Sequence, residues 1–189
     1  MKTAIIVHGW DFNPQMHWYP WLKHHLEKKG FKVLTPEMPN SDNPQIKEWV
    51  EKLKEIAINP NKETYFIGHS IGCQTILRYL ETLPEKTKVG PIVFVAPWFH
   101  LQNLEGPESE KIAKQWLETP MNIEKINTHL TKIICIFSDN DQWVPLADKE
   151  IFRQFFGAKI IVEHNKGHFT QDDGVTEVPD IIKGLTALH

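Results

Sequence analysis

Thr64-Tyr65-Phe66-Ile67-Gly68-His69-Ser70-Ile71-Gly72 switches from one structural period to another within a few residues. Thr64–Ile67 is a short, β-rich apolar run, whereas beyond Ile71 the apolar residues Ile76, Leu77, Leu80 and Leu83 recur at helical spacing. Between the two periods lies G-x-S-x-G. A serine on so sharp a strand-to-helix turn sits on a strained backbone, and the two glycine positions face adjacent chain. Gly68 and Gly72 leave the room that side chains would fill. The helix N-terminus also points free N–H groups at developing negative charge. Five letters alone are a weak signal, and a Gly-rich turn is the plain alternative. The strand before and the helix after favour a nucleophile elbow.

Working outward, short apolar runs alternate with helical patterns, the mark of βαβ units and a parallel sheet. Six strands are expected: Thr3–Val7, Phe31–Thr35, Thr64–Ile67, Pro91–Val95, Ile133–Phe137 and Lys159–Val162. Their continuous apolar character means burial on both faces. The expected fold class is therefore α/β, a three-layer α/β/α sandwich around a six-stranded parallel sheet. Ile46, Val50, Leu53, Ile56 and Ala57 mark one helix, with Asn43 as its N-cap and Pro44 at its first position. Further helices are expected over Trp18–Lys29, Ile71–Leu83, Leu146–Phe156 and Val178–Leu188. Residues 1–189 read as a single domain without repeats or linkers. Within it, Pro97–Thr131 breaks the rhythm with two short helical patterns, Glu108–Leu117 and Ile123–Leu130, and reads as a small lid or a long crossover.

Composition narrows the partners. A chain of 189 residues with 41% hydrophobic and 24% charged residues is ordinary for a globular protein, which excludes intrinsic disorder and collagen-like architecture. Lys and Arg number 21 against 24 Asp and Glu, so a net charge of −3 offers no basic footprint for nucleic acid or an anionic membrane. No apolar run is long enough to span a bilayer, and Ala4–Val7 is too short for a signal-peptide core, so a cytoplasmic protein is expected. Cys73 and Cys135 lie in apolar patterns without C-x-x-C spacing and read as buried, reduced thiols. Oligomeric state is left open.

A serine needs a base, and the base needs a carboxylate, in the chain order Ser, Asp or Glu, His. Among ten histidines, His168 in Gly167-His168-Phe169 follows the last strand on the edge where Ser70 emerges, and it is the expected base. His164 reads as structural, and His189 sits at the terminus. Ser138-Asp139-Asn140-Asp141 supplies two carboxylates after the fifth strand; Asp141 is favoured and Asp139 is the alternative. The Asp-x-Asp pair has no nearby His or Glu to complete a metal site, so no metal and no cofactor are expected. An oxyanion hole would take the backbone N–H of Ile71 and that of Trp10, with Gly9 letting the chain pass close. His8 reads as a buried hydrogen-bonding residue.

With these residues in hand, the chain resembles an α/β-hydrolase, and more closely the compact serine hydrolase family of the bacterial YdeN type, related to the retinoblastoma-binding serine hydrolase. The likeness spans nearly the whole chain: Val7-His8-Gly9-Trp10, His17-Trp18-Tyr19-Pro20-Trp21-Leu22, Phe66 to Gly72, Asn140-Asp141-Gln142-Trp143-Val144-Pro145 and Gly167-His168-Phe169. In that family the acid precedes a short segment ending in Val-Pro, which matches Asp141. The resemblance also implies a sheet without the two antiparallel strands that open larger relatives, and a small lid.

Seven tryptophans are many for this length. Trp10, Trp98 and Trp143, with Phe99, follow expected strands and would wall an apolar acyl pocket, whereas Trp18, Trp21, Trp49 and Trp116 lie on helical patterns and read as packing. Cys73 has no base aimed at it. The expected function is hydrolysis of a small carboxylic ester through an acyl-enzyme, with a small-molecule ester as partner. A non-catalytic α/β-hydrolase-like interaction module is the alternative from another class. A nucleotide-binding domain lacks its glycine motifs.

Overall fold

The computed structural model describes residues 1–186, so His189 and the end of the helix expected over Val178–Leu188 lie outside the described residues. Six strands, β1 (Thr3–Val7), β2 (Lys32–Leu34), β3 (Thr64–His69), β4 (Ile92–Val95), β5 (Ile133–Ser138) and β6 (Lys159–Glu163), form one parallel sheet in the order β2-β1-β3-β4-β5-β6. Every residue of the three central strands β3, β4 and β5 is buried, as their unbroken apolar runs require, while edge strands β2 and β6 are only partly covered.

Among the described residues, seven helices connect or follow the strands, two of them between β4 and β5: α1 (Tyr19–Lys28), α2 (Ile46–Ile56), α3 (Ile71–Glu81), α4 (Gly106–Glu118), α5 (Ile123–His129), α6 (Asp148–Phe156) and α7 (Pro179–Thr186). The chain steps outward from β1 to β2, then crosses back over β1 to β3 and continues to β6. Right-handed crossovers therefore assign α1 to one face and α2, α3, α5 and α6 to the other. The side chains agree. Val93 and Ile134, register partners on β4 and β5, face Gly184 of α7, where an added Cβ would come within 2.8 Å of Ile134 Cδ1. Phe94 and Phe137 turn the opposite way and meet Phe152 of α6. The reversal of direction between β1 and β3 opens a crevice at their C-terminal ends, the position where open α/β sheets bind ligands.

Most element ends lie within a residue or two of expectation, and the start of α2 is a departure with a visible cause. Asn43 does not cap α2; the helix begins at Ile46 after an extended Gln45, because Pro44 is held elsewhere. Its carbonyl accepts the indole N–H of Trp116 at 2.9 Å and the Gln115 amide at 3.2 Å, both from α4. The β4–β5 connection contains both expected helices. Helix α5 packs between α3 and α6, and Asn122 caps it through the Lys125 N–H. The end of α4 is clamped from below: buried Arg78 of α3 donates to the carbonyls of Trp116 (2.9 Å) and Thr119 (2.8 Å). Trp18, Trp49 and Trp116 are core residues, and Trp21 packs against the core from a partly buried position. Among the described residues, no helix is long and apolar enough to cross a membrane.

Candidate active site

Ser70 stands between β3 and α3 with φ 52° and ψ −119°, a conformation that costs a non-glycine residue about 1–3 kcal/mol. The surroundings hold it there. Its N–H donates to Val95 O on the neighbouring strand and its carbonyl accepts from Cys73 N, each at 2.9 Å. A Cβ on Gly68 would lie 2.8 Å from Cys73 N, and one on Gly72 would lie 2.3 Å from Val7 O. Both glycines are thus demanded by backbone, which side-chain rearrangement cannot relieve.

His168 sits on the loop after β6, with Gly167 (φ 51°) and Phe169 (φ 59°) on either side. One carboxylate shapes this loop: Asp173 Oδ2 accepts from His168 N (2.9 Å), Thr170 N (3.1 Å) and Thr170 Oγ1 (2.7 Å). His168 Nδ1 lies 2.8 Å from Asp141 Oδ2, with both side chains almost wholly buried. The other oxygen, Asp141 Oδ1, accepts the N–H groups of Trp143 (2.9 Å) and Val144 (3.0 Å). Asp139 points elsewhere, to His164 and the Asn165 N–H; those hydrogen bonds, the Asn165 N–H foremost, hold its exposed carboxyl below the usual range. Between them Asn140 clips the two loops together, its Oδ1 accepting from Gly167 N at 2.9 Å.

Ser70, Ile71, Trp10, Trp98, Trp143 and His168 all line one cavity of about 670 Å³. The N–H groups of Trp10 and Ile71 have no hydrogen-bond acceptor among the described residues, the condition an oxyanion site requires. Trp98 does more than form a wall, since its indole N–H donates to Ser70 Oγ at 3.3 Å. Trp143 lies edge-on to the His168 ring, with centroids 5.0 Å apart. Phe99 is a correction. It does not line the cavity but packs on Phe152, Phe155 and Phe156, because Asp148 Oδ2 of α6 draws in the N–H groups of both Phe99 and His100. The roof comes from Leu101, Leu104, Glu105, Glu108, Ser109 and Ile112.

His8 is buried, as expected, donating through Nδ1 to Gly9 O and accepting Met38 N–H at Nε2; burial lowers its pKa. Burial pushes the Cys73 and Cys135 thiols well up, leaving neither an activated nucleophile. Sequence reasoning missed Tyr19, His69, Gln74, Asp148 and Asp173. Gln74 grips the Trp98 carbonyl at 2.6 Å. Apart from Asp173, whose partners Thr170 and His168 are three and five residues away, none of these residues belongs to a local pattern that reports its partner. The one available signal was the polar character of His69 and Gln74 beside an apolar elbow.

A model of the serine hydrolase family matches residues 4–187. The chain belongs to the serine hydrolase family. This serine hydrolase is 29% identical to the Bacillus subtilis protein YdeN over 187 residues, covering 98% of this chain and 95% of that protein. It is 27% identical to the Rattus norvegicus serine hydrolase RBBP9 over 169 residues, covering 89% and 86% of the two chains. The crystal structure of the B. subtilis ydeN gene product superposes with a TM-score of 0.89 at 28% identity, over 99% and 98% of the chains. Est1E from Butyrivibrio proteoclasticus, solved with ferulic acid, shares the fold with a TM-score of 0.70 at 12% identity, over 99% and 90%. The hydrolase is thus an enzyme built on the compact α/β-hydrolase architecture, as its strand order indicates.

Proposed function

We propose that this serine hydrolase cleaves small carboxylic esters through an acyl-enzyme, with Ser70 as nucleophile, His168 as base and Asp141 as the carboxylate that orients it. The observation that carries the reading is the buried 2.8 Å contact between Asp141 and His168 Nδ1 beside the cavity that contains Ser70. Asp141 keeps the ring proton on Nδ1, leaving Nε2 free to take the hydroxyl proton as Ser70 Oγ attacks the ester carbonyl. The carbonyl oxygen gains negative charge and is met by the N–H groups of Trp10 and Ile71. His168 then returns its proton to the departing alcohol. A water, deprotonated by the same nitrogen, releases the acid and regenerates Ser70.

The cavity bounds the substrate. Trp10, Phe12, Trp98 and Trp143 supply apolar wall, while Asp11, Asp42, Glu105 and Glu108 supply carboxylates without any lining Lys or Arg. Such a field disfavours substrates with an anionic tail. Helix α4 acts as a small lid within a single hydrolase domain. The test is labelling with a fluorophosphonate probe followed by peptide mapping. Modification at Ser70, lost in Ser70→Ala, is expected. Labelling at Cys73, or none in the folded wild type, refutes the proposal, and the latter result favours a non-catalytic interaction module.

A further inference from the structure

His69, the residue preceding the nucleophile, is fully buried at the end of β3 and plays no part in the steps above. Its Nε2 lies 2.8 Å from the backbone carbonyl of His168, and its Nδ1 lies 2.6 Å from Tyr19 Oη, which also accepts the Gly9 N–H at 3.3 Å. Donor counting fixes every proton in this chain. A carbonyl oxygen only accepts, so His69 Nε2 carries a hydrogen. Burial first, and the neighbouring His168 second, hold the ring well below the ordinary histidine range, so it is neutral and its Nδ1 is bare. Tyr19 therefore donates its O–H to Nδ1, which leaves its oxygen free to accept from Gly9. The phenol and the imidazole are both wholly buried, where polar groups are costly unless paired, and each is paired at both ends.

We propose that Tyr19 and His69 are positioning residues, a buried neutral relay that fixes the Gly9-Trp10 loop after β1 against the His168 loop after β6. The relay rests on the roles given above to Trp10, Ser70 and His168. It joins segments 50 and 99 residues apart through the residue that carries the elbow, so the oxyanion donor, the nucleophile and the base share one hydrogen-bonded frame. Rings of Phe12, His17 and Trp18 pack around His69.

Tyr19→Phe keeps the ring and deletes the relay's central hydroxyl. Misplacement by a fraction of an ångström at a reacting centre lowers turnover steeply, so kcat on nitrophenyl acetate is expected to fall about 10–100-fold, with KM within about twofold. His69→Leu should behave alike. His69→Gln, whose amide both donates and accepts, should recover most of the rate, a rescue that packing alone would not give. His168→Ala runs alongside: full activity there overturns the base assignment and the relay with it, whereas wild-type kcat in Tyr19→Phe beside a dead His168→Ala overturns the relay alone. Should Tyr19→Phe melt below the assay temperature, imidazole nitrogen shifts of wild-type His69 decide. A neutral Nε2–H tautomer is expected at about pH 6.5 and above, and an Nδ1–H tautomer or a ring protonated there overturns the relay.

Discussion

Asp141→Asn tests the proposed chemistry at its most constrained point. Two backbone donors, Trp143 N–H and Val144 N–H, already engage Asp141 Oδ1. An asparagine must keep its carbonyl oxygen on those donors, because turning it would aim an NH₂ group at two N–H groups. Its NH₂ is thereby forced toward His168 Nδ1, which can then only accept. The ring proton moves to Nε2, the nitrogen that should receive the serine proton. Loss of the correct tautomer costs on the order of 10⁴ in kcat, about 5.5 kcal/mol of transition-state stabilisation. Turnover of nitrophenyl acetate measures it, with circular dichroism confirming matched folding. Asp139→Asn is the paired control: its exposed carboxylate serves His164 and Asn165, and kcat is expected to stay within about threefold of wild type. Collapse in Asp139→Asn, with turnover intact in Asp141→Asn, refutes the assignment.

Three further outcomes are expected. Gly72→Ala drives a Cβ to 2.3 Å from Val7 O and 2.7 Å from His8 O, both backbone atoms, and should cost roughly 3 kcal/mol or more in urea unfolding; a loss under about 1 kcal/mol contradicts the packing. His8, His17 and His69 have folded-state pKa values lowered mainly by burial, His17 to about 4, so the unfolded chain binds their protons more readily. Stability should therefore be fullest above about pH 6.5 and decline as pH falls, for His17 until about 4; a melting temperature that rises between pH 7.5 and 5 refutes this. Nitrophenyl esters from acetate to palmitate should show a graded preference for short acyl chains, about 1–3 kcal/mol per methylene at most, unaffected by EDTA. Rates climbing toward palmitate would oppose a pocket narrowed by Trp10, Trp98 and Trp143, and activity lost to EDTA and restored by a divalent ion would oppose the metal-independent mechanism.

The strand runs and the elbow were legible because their determinants are local: a period change across Ser70 and two glycines within five residues. The sheet's central strands could be read for the same reason, since burial on both faces writes an unbroken apolar run. Misplacements arose where distant chain takes over. The start of α2 slid past Asn43 because Trp116 and Gln115, some seventy residues on, hold Pro44. Phe99 left the cavity because the Asp148 carboxylate, almost fifty residues away, pulls its backbone toward α6. Tyr19 and His69 stayed invisible because hydrogen bonds across 50 and 99 residues leave no mark on spacing. The two carboxylates after β5 differ for a local reason: Trp143 and Val144, two and three residues on, donate to Asp141 Oδ1, so the segment that follows Asp141 in sequence also builds its hydrogen-bonding shell.

Helix α4 divides its labour by turns. Its last turn is bolted to α3 by Arg78 and to the start of α2 by Trp116, while Glu108, Ser109 and Ile112 of its early turns overlook the cavity. A change at Ser109 or Ile112 thus reshapes the cavity proposed to hold the substrate without loosening what holds the helix down. For evolution or for a protein engineer, specificity here can drift while the scaffold stays put, and the early turns of α4 are the natural site for a substitution library.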